Sequence, residues 1–221
     1  MHVSPLSQIQ RRLFAWCMAT VNDVDQEAVQ CDDSASYRNM AAYKHGLLGN
    51  LQGTVLEIGP GTGANFVYYP ADIEWIGIEP NPFMHPYLQQ EATQQGFQTI
   101  QLYSDSVENL PMENESIDVI VSTHVLCSVT QLDQAFQEIV RVLKPGGRFI
   151  FFEHVGATPQ TWTRTLQNGV TPAWKVLFDG CYPNRETWHV LDVAGFTSVD
   201  YEAFQLELPV VSPHIAGVAV K

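Results

Sequence analysis

The run Val55-Leu56-Glu57-Ile58-Gly59-Pro60-Gly61-Thr62-Gly63 sets three alternate glycines directly after a short apolar segment. Glycine adopts left-handed and closely approached backbone without a Cβ penalty, so a turn of this kind can present N–H groups to a nucleotide-like ligand. Roughly twenty residues further on, where such folds carry an acid for the ribose, a second apolar run (residues 73–78) ends on Glu79 and Pro80. A carboxylate there can grip both hydroxyls of a ribose diol. Turn and acid together point to a ribose-bearing ligand, held by Glu57, Gly59, Pro60, Gly61, Thr62, Gly63, Glu79 and Pro80.

Spacing alone does not choose that ligand. Gly59, Gly61 and Ala64 also satisfy the looser dinucleotide pattern, which leaves nicotinamide and flavin cofactors open. Glu57 inside the strand and the wider Thr62-Gly63 turn, which leaves room for a charged amino-acid tail, favour S-adenosylmethionine. Residues 105–111 (Asp-Ser-Val-Glu-Asn-Leu-Pro) follow a third strand, and residues 143–147 (Leu-Lys-Pro-Gly-Gly) precede a fifth. With these blocks the chain resembles the class I S-adenosylmethionine-dependent methyltransferases over about residues 50–221.

Shorter blocks narrow the resemblance. Gly61-Thr62-Gly63-Ala64-Asn65-Phe66 with Tyr69-Pro70, Val125-Leu126-Cys127-Ser128-Val129, Glu153-His154-Val155, Pro172-Ala173-Trp174, Phe178-Asp179-Gly180-Cys181 and Pro213-His214-Ile215 are similar to the methyltransferase-like seven family. Its animal members are membrane-associated enzymes that methylate alkyl thiols. The resemblance implies an α/β fold with a Rossmann-like seven-stranded sheet, helices on both faces and an antiparallel last strand. It implies S-adenosylmethionine as methyl donor and S-adenosylhomocysteine as product. By the same analogy Ser106 lies near the exocyclic amine of adenine and the N–H of Val107 near a ring nitrogen. Many relatives carry a carboxylate where Ser106 stands, so Asp105 is an alternative partner. Thr123 and His124 follow the fourth strand at its carboxyl end, where open α/β sheets bind ligands, and join the cofactor set.

The elements that must position these residues are legible as periods and breakers. Residues 6–21 have an apolar helical face and form a lid, a packed helix or a surface helix. An acidic linker follows, and a second helix from about Ser34 to Leu48 could bring Tyr37 and Arg38 to the methionine carboxylate. A short helix is expected over 64–69, a longer one opening at 81–87, and strands over 97–103, 117–121 and 148–152. An amphipathic helix over 132–143 stops at Lys144-Pro145-Gly146-Gly147. A helix over 184–194 precedes final strands over 196–208 and 215–220. The organisation is thus a helical cap with acidic linker (1–50) and a methyltransferase domain (51–221), with an aromatic insertion over about 154–183 building the acceptor pocket.

Composition sets outer bounds. A chain of 221 residues suits one α/β domain, and a net charge of −13 with pI near 4.7 argues against an enzyme that tracks phosphate backbones. The expected partner is a small acceptor molecule and no nucleic acid; no oligomeric state follows. No apolar run approaches the ~20 residues needed to span a bilayer, so a cytoplasmic protein without a stable membrane anchor is expected. Cys17, Cys31, Cys127 and Cys181 show no metal-ligand spacing with the histidines, so no metal is expected. For methyl transfer the candidate catalytic residues are His154, which follows the fifth strand, and Asp179 in its Asp-Gly-Cys turn. A thiol is the favoured acceptor; an O-, N- or C-methyltransferase of a lipophilic metabolite, a non-catalytic S-adenosylmethionine-binding protein and a dinucleotide-dependent oxidoreductase are the alternatives.

Overall fold

The computed structural model describes residues 5–20 and 39–221. The acidic linker, Cys31, Tyr37 and Arg38 lie outside the described residues. Two helices come first, α1 (Pro5–Thr20) and α2 (Met40–Leu48), the second capped by the Asn39 side chain, which accepts from the N–H of Ala42. The domain then alternates β1 (Thr54–Ile58), β2 (Glu74–Ile78), α3 (His85–Gln94), β3 (Gln101–Tyr103), β4 (Ile117–Thr123), α4 (Leu132–Val142), β5 (Leu143–His154), α5 (Trp162–Leu177), α6 (Thr187–Leu191), β6 (Ser198–Gln205) and β7 (Pro213–Val220). They form one seven-stranded sheet of order β3-β2-β1-β4-β5-β7-β6, in which β7 runs antiparallel to both neighbours.

Both faces of this sheet are covered, as continuous apolar strands require. The period of two splits each strand between two cores: Phe149 and Phe151 of β5 face one, Ile150 and Phe152 the other. On the first face α4 buries Leu132, Ala135, Phe136, Ile139 and Val142, with Leu191 of α6 beside them. On the second, α2 (Met40, Tyr43, Leu48) and α3 (Leu88, Ala92) pack with Phe66. Tyr43 also donates from its hydroxyl to the carbonyl of Ala216 on β7 at 3.1 Å, so α2 is built into the same core as the strands.

Several boundaries differ from those expected. The helix over 64–69 is reduced to a 3₁₀ turn at Phe66–Tyr68, because Pro70 ends it at once. Residues 82–84 are turn, and α3 starts at His85 with Pro86 in its first turn. β3 is only three residues long, whereas β5 extends through the Lys144-Pro145-Gly146-Gly147 segment with a register shift against β4. The insertion after β5 is largely the single helix α5. Buried Gln167 pins it by accepting from Ala157 N–H (2.8 Å) and donating to the carbonyls of Val155 (3.3 Å) and Val210 (2.9 Å). Its Trp162, Val176 and Leu177 are exposed.

At the carboxyl ends of β4 and β5 one carboxylate shapes the chain. Glu153 is fully buried and accepts from Ser122 Oγ at 2.6 Å and from the N–H groups of Val125 and Leu126, each at 3.2 Å. Burial pushes its carboxyl up to about 7 against the lowering effect of those bonds. The Glu153→Ala substitution leaves three donors, those of Ser122 and Leu126 buried and that of Val125 part-buried, without an acceptor, so unfolding free energy should fall by at least about 2 kcal/mol. Urea denaturation measures this, and an unchanged midpoint would remove Glu153 from its organising role.

Candidate functional site

The sheet order reverses between β1 and β4, and a ligand crevice is expected outside the carboxyl ends of those strands. A cavity of about 620 Å³ lies there. Its floor is the turn after β1. Gly59 and Gly61 both have left-handed φ (59° and 57°). A Cβ on Gly59 would come within 2.6 Å of Val125 Cγ2, whereas at Gly61 it would meet nothing within 4 Å. The first glycine therefore allows β1 and the β4 loop to pack closely, and the second leaves the turn open. Gly63 (φ 92°) is a packing glycine, since a Cβ would press on Phe66 at 2.8 Å; it does not line the cavity.

The carboxylate of Glu79, at the end of β2, is held by backbone N–H groups. Its two carboxylate oxygens accept from Gly61 N–H at 3.0 Å and Asn81 N–H at 2.7 Å. Each oxygen keeps a further lone pair for one hydroxyl of a vicinal diol. Burial raises its carboxyl above the ordinary range, and the two N–H bonds oppose that rise. Glu57 lines the cavity nearer the sheet, where Asn65 Nδ2 (2.7 Å) and Trp75 Nε1 (3.1 Å) hold its oxygens. Asn65 also donates to Thr123 Oγ1 at 3.0 Å, and Lys44 lines the same end. This polar end suits the zwitterionic tail of an amino acid.

At the opposite end Ser106, Val107, Pro80 and Met84 border the cavity. Ser106 Oγ donates to the Glu108 carboxylate, whose other oxygen accepts from Thr130 and Gln131 N–H at 3.0 and 3.2 Å. The carboxylate at this end is thus Glu108; Asp105 does not line the cavity. A cavity with a diol-facing carboxylate in the middle, a polar end and an apolar end fits S-adenosylmethionine in size and chemistry.

The remaining lining residues form a further wall. His124 and Asp179 line it, and both have left-handed backbone (φ 55° and 44°), uncommon for residues with a side chain. Burial holds the His124 ring well below its ordinary pKa, with His214 and His154 adding to the effect, so the imidazole is neutral. Val125, Val129 and Phe178 supply apolar surface. Phe14 and Met18 of α1 close the roof, and Arg11 of α1 donates to Pro80 carbonyl at 2.5 Å and stands 3.8 Å from Asp179. His154 does not line the cavity. Its ring centroid is 6.1 Å from that of His124, and its Nε2 lies 3.2 Å from Cys181 Sγ. Of the insertion's aromatic residues only Phe178 reaches the cavity, so the pocket expected over 154–183 is contributed chiefly by its last turn.

The fold brings together a grouping that sequence spacing does not reveal: the donor atoms of Cys127, His154 and Cys181 all lie within 4.8 Å of one another. Spacing gave no signal because the three come from the β4 loop, the end of β5 and the turn after α5. Sequence reasoning also missed Asn65, Glu108, Arg11, Phe14 and the role of Glu153. A polar residue four positions past Gly61 and a carboxylate in the block after β3 were the available signals for the first two.

Glu79→Ala should weaken binding of S-adenosylhomocysteine by about 1–3 kcal/mol, the usual loss when hydrogen bonds to a charged group disappear. Calorimetric titration checks this, and unchanged affinity would take Glu79 out of the diol position.

Residues 56–151 match the family described as Methyltransferase domain. Among solved structures the chain is similar to the [4+2]-cyclase SpnF (TM-score 0.69, 17% identity, covering 100% of this chain and 98% of that one). It is also similar to a SAM-dependent methyltransferase from Aquifex aeolicus (TM-score 0.56, 14% identity, 81% and 87%). At such identities these likenesses show the fold alone. Sequence goes further. The chain is 40% identical over 194 residues to thiol S-methyltransferase TMT1A of Homo sapiens, covering 82% of this chain and 80% of the relative. It is 37% identical over 206 residues to thiol S-methyltransferase TMT1B of Rattus norvegicus, covering 84% and 81%. With that identity spread over most of both chains and a cavity shaped for the methyl donor, this protein is an S-adenosylmethionine-dependent methyltransferase and belongs to the thiol S-methyltransferase family.

Proposed function

We propose that the chain methylates small hydrophobic thiols. The observation that carries this reading is the 40% identity with human thiol S-methyltransferase TMT1A over four-fifths of each chain. The acceptor wall agrees with it. Phe14, Met18, Val125, Val129 and Phe178 form an apolar surface, and its facing polar groups include a neutral imidazole and the carboxylate of Asp179 beside Arg11. Such a wall takes up an uncharged lipophilic molecule and has little to offer a phosphate or a polyanion.

S-adenosylmethionine supplies a methyl group on a sulfonium sulfur. The chain's own work is to hold donor and acceptor in line and exclude water. Glu79 and the β1 turn fix the ribose end, while Glu57, Asn65 and Thr123 fix the polar end. α1 serves as the cover, bringing Phe14 and Met18 over the junction with the acceptor. Alignment of this kind is worth several kcal/mol of barrier (about 7–11 in well-oriented intramolecular reactions). A thiol also needs little help with its proton, since its ordinary pKa of about 8.5 leaves a usable thiolate fraction near neutrality. Asp179 stands at the acceptor wall, and His154 lies behind it against Cys181. No described helix is long and apolar enough to cross a membrane, and a cytoplasmic enzyme is our reading of the chain's address.

A labelled S-adenosylmethionine assay against alkyl and aryl thiols, with matched alcohols, amines and phenols, tests the proposal. Turnover is expected on thiols and not on their oxygen or nitrogen counterparts; the reverse preference would overturn it. For a thiol series, kcat/KM should rise with pH and level off near each acceptor's own pKa, because the thiolate is the nucleophile. A midpoint that stays fixed across the series would instead place control in a side-chain base.

A further inference from the structure

Cys127, His154 and Cys181 are brought together by three separate devices. Glu153 holds the N–H groups of Val125 and Leu126 and so sets the loop carrying Cys127. Tyr182 N–H (3.0 Å) and Arg185 (3.3 Å) both donate to Cys127 carbonyl, which docks the turn carrying Cys181 onto that loop. His154 closes β5 beneath them, its Nε2 3.2 Å from Cys181 Sγ. All three side chains are buried, and Trp174 Nε1 donates to Cys181 Sγ at 3.4 Å. The backbone therefore assembles two thiols and an imidazole in one apolar place, far apart in sequence and with no role in lining the methyl-donor cavity.

We propose that Cys127, His154 and Cys181 bind one thiophilic divalent cation of the zinc class. Zinc takes sulfur at about 2.3 Å and imidazole nitrogen at about 2.0–2.1 Å, so neighbouring ligands on its tetrahedron sit about 3.5–3.8 Å apart. Donor atoms already within 4.8 Å of one another reach that arrangement by small side-chain rotations. Two sulfurs and one imidazole exclude magnesium and calcium, which take oxygen ligands. Among the described residues the group holds three donors, which leaves a fourth position for water or a small exogenous ligand. The cation ties the β4 loop to the turn after α5, and these two segments carry His124 and Asp179 of the acceptor wall. Its presence therefore fixes the acceptor side of the cavity without touching the donor side.

The proposal does not depend on a thiol being the acceptor, and its test contains no methyl transfer. Reduced protein purified without chelator should contain one zinc per chain by elemental analysis. Chelator-treated protein titrated with cobalt(II) should develop thiolate-to-cobalt charge-transfer bands and the intense visible bands of four-coordination, saturating at one equivalent. Cys127→Ser and Cys181→Ser should each abolish the charge-transfer signature or cut it by half with weakened binding, and His154→Asn should weaken binding at least tenfold. Cys17→Ser, on exposed α1, should change nothing. Three results would overturn the proposal: no uptake of zinc or cobalt by reduced wild-type protein, unchanged uptake by the Cys127→Ser/Cys181→Ser double variant, or a Cys127–Cys181 disulfide that persists in reductant and leaves no thiol to bind. The first and third are read on wild-type protein, so a variant that fails to fold does not shield the idea.

Discussion

The cavity wall that carries His124 and Val125 depends on one buried carboxylate. Glu153 sits between the ends of two central parallel strands, where a charge is costly, and burial pushes its carboxyl up to about 7 even against the bonds that oppose the rise. What offsets it is a set of three donors, Ser122 hydroxyl and the N–H groups of Val125 and Leu126. By taking those two N–H groups the carboxylate turns the chain sharply after β4. His124 is left in a left-handed conformation and faces the cavity, and Val125 is brought against Gly59. The acceptor wall, the close approach of β1 and the placement of Cys127 all follow from this turn.

The donor side uses a different construction. There the rigid parts are backbone N–H groups, from Gly61 and Asn81, and the side chain they hold is Glu79. A carboxylate fixed by two main-chain donors loses little conformational freedom when a ligand arrives. One side of the cavity is thus a carboxylate ordering backbone, and the other is backbone ordering a carboxylate. Both are set by the sheet, whose parallel strands end at the same level.

Much of this was readable from sequence because it is local. The glycine spacing, the apolar run ending on Glu79 and the amphipathic period of residues 132–142 each lie within one element, and their residues fall where the period places them. Pairings across elements were not readable. Asn65 answers Glu57 and Thr123, Glu108 answers Thr130, and Arg11 reaches Pro80 across 69 positions; no period links such residues. The same limit explains His154, which ends β5 and faces Cys181 in space, and the apolar residues of α5, which read as a pocket and lie mostly outside. The cysteines were separated by too many residues for any spacing rule to unite them.

The cover over the cavity is fastened in part by exposed polar contacts. Besides the buried Ala15 and the packing of Phe14 and Met18, the described contacts of α1 include a 3.8 Å pair between Arg11 and Asp179, both partly exposed, the Arg11 bond to Pro80, Asn81 Nδ2 donating to Arg11 carbonyl and Gln10 donating to Val176 carbonyl. Exposed ion pairs of this sort contribute at most about 1 kcal/mol, and salt weakens them further. Its outer side shows Ile9, Leu13 and Trp16 to the surroundings and adds no grip of its own. A methyl donor is spent in a single turnover, and its demethylated remainder must leave before another can enter. A door latched in part by an exposed ion pair is one whose latch loosens as salt rises, while its apolar seal does not.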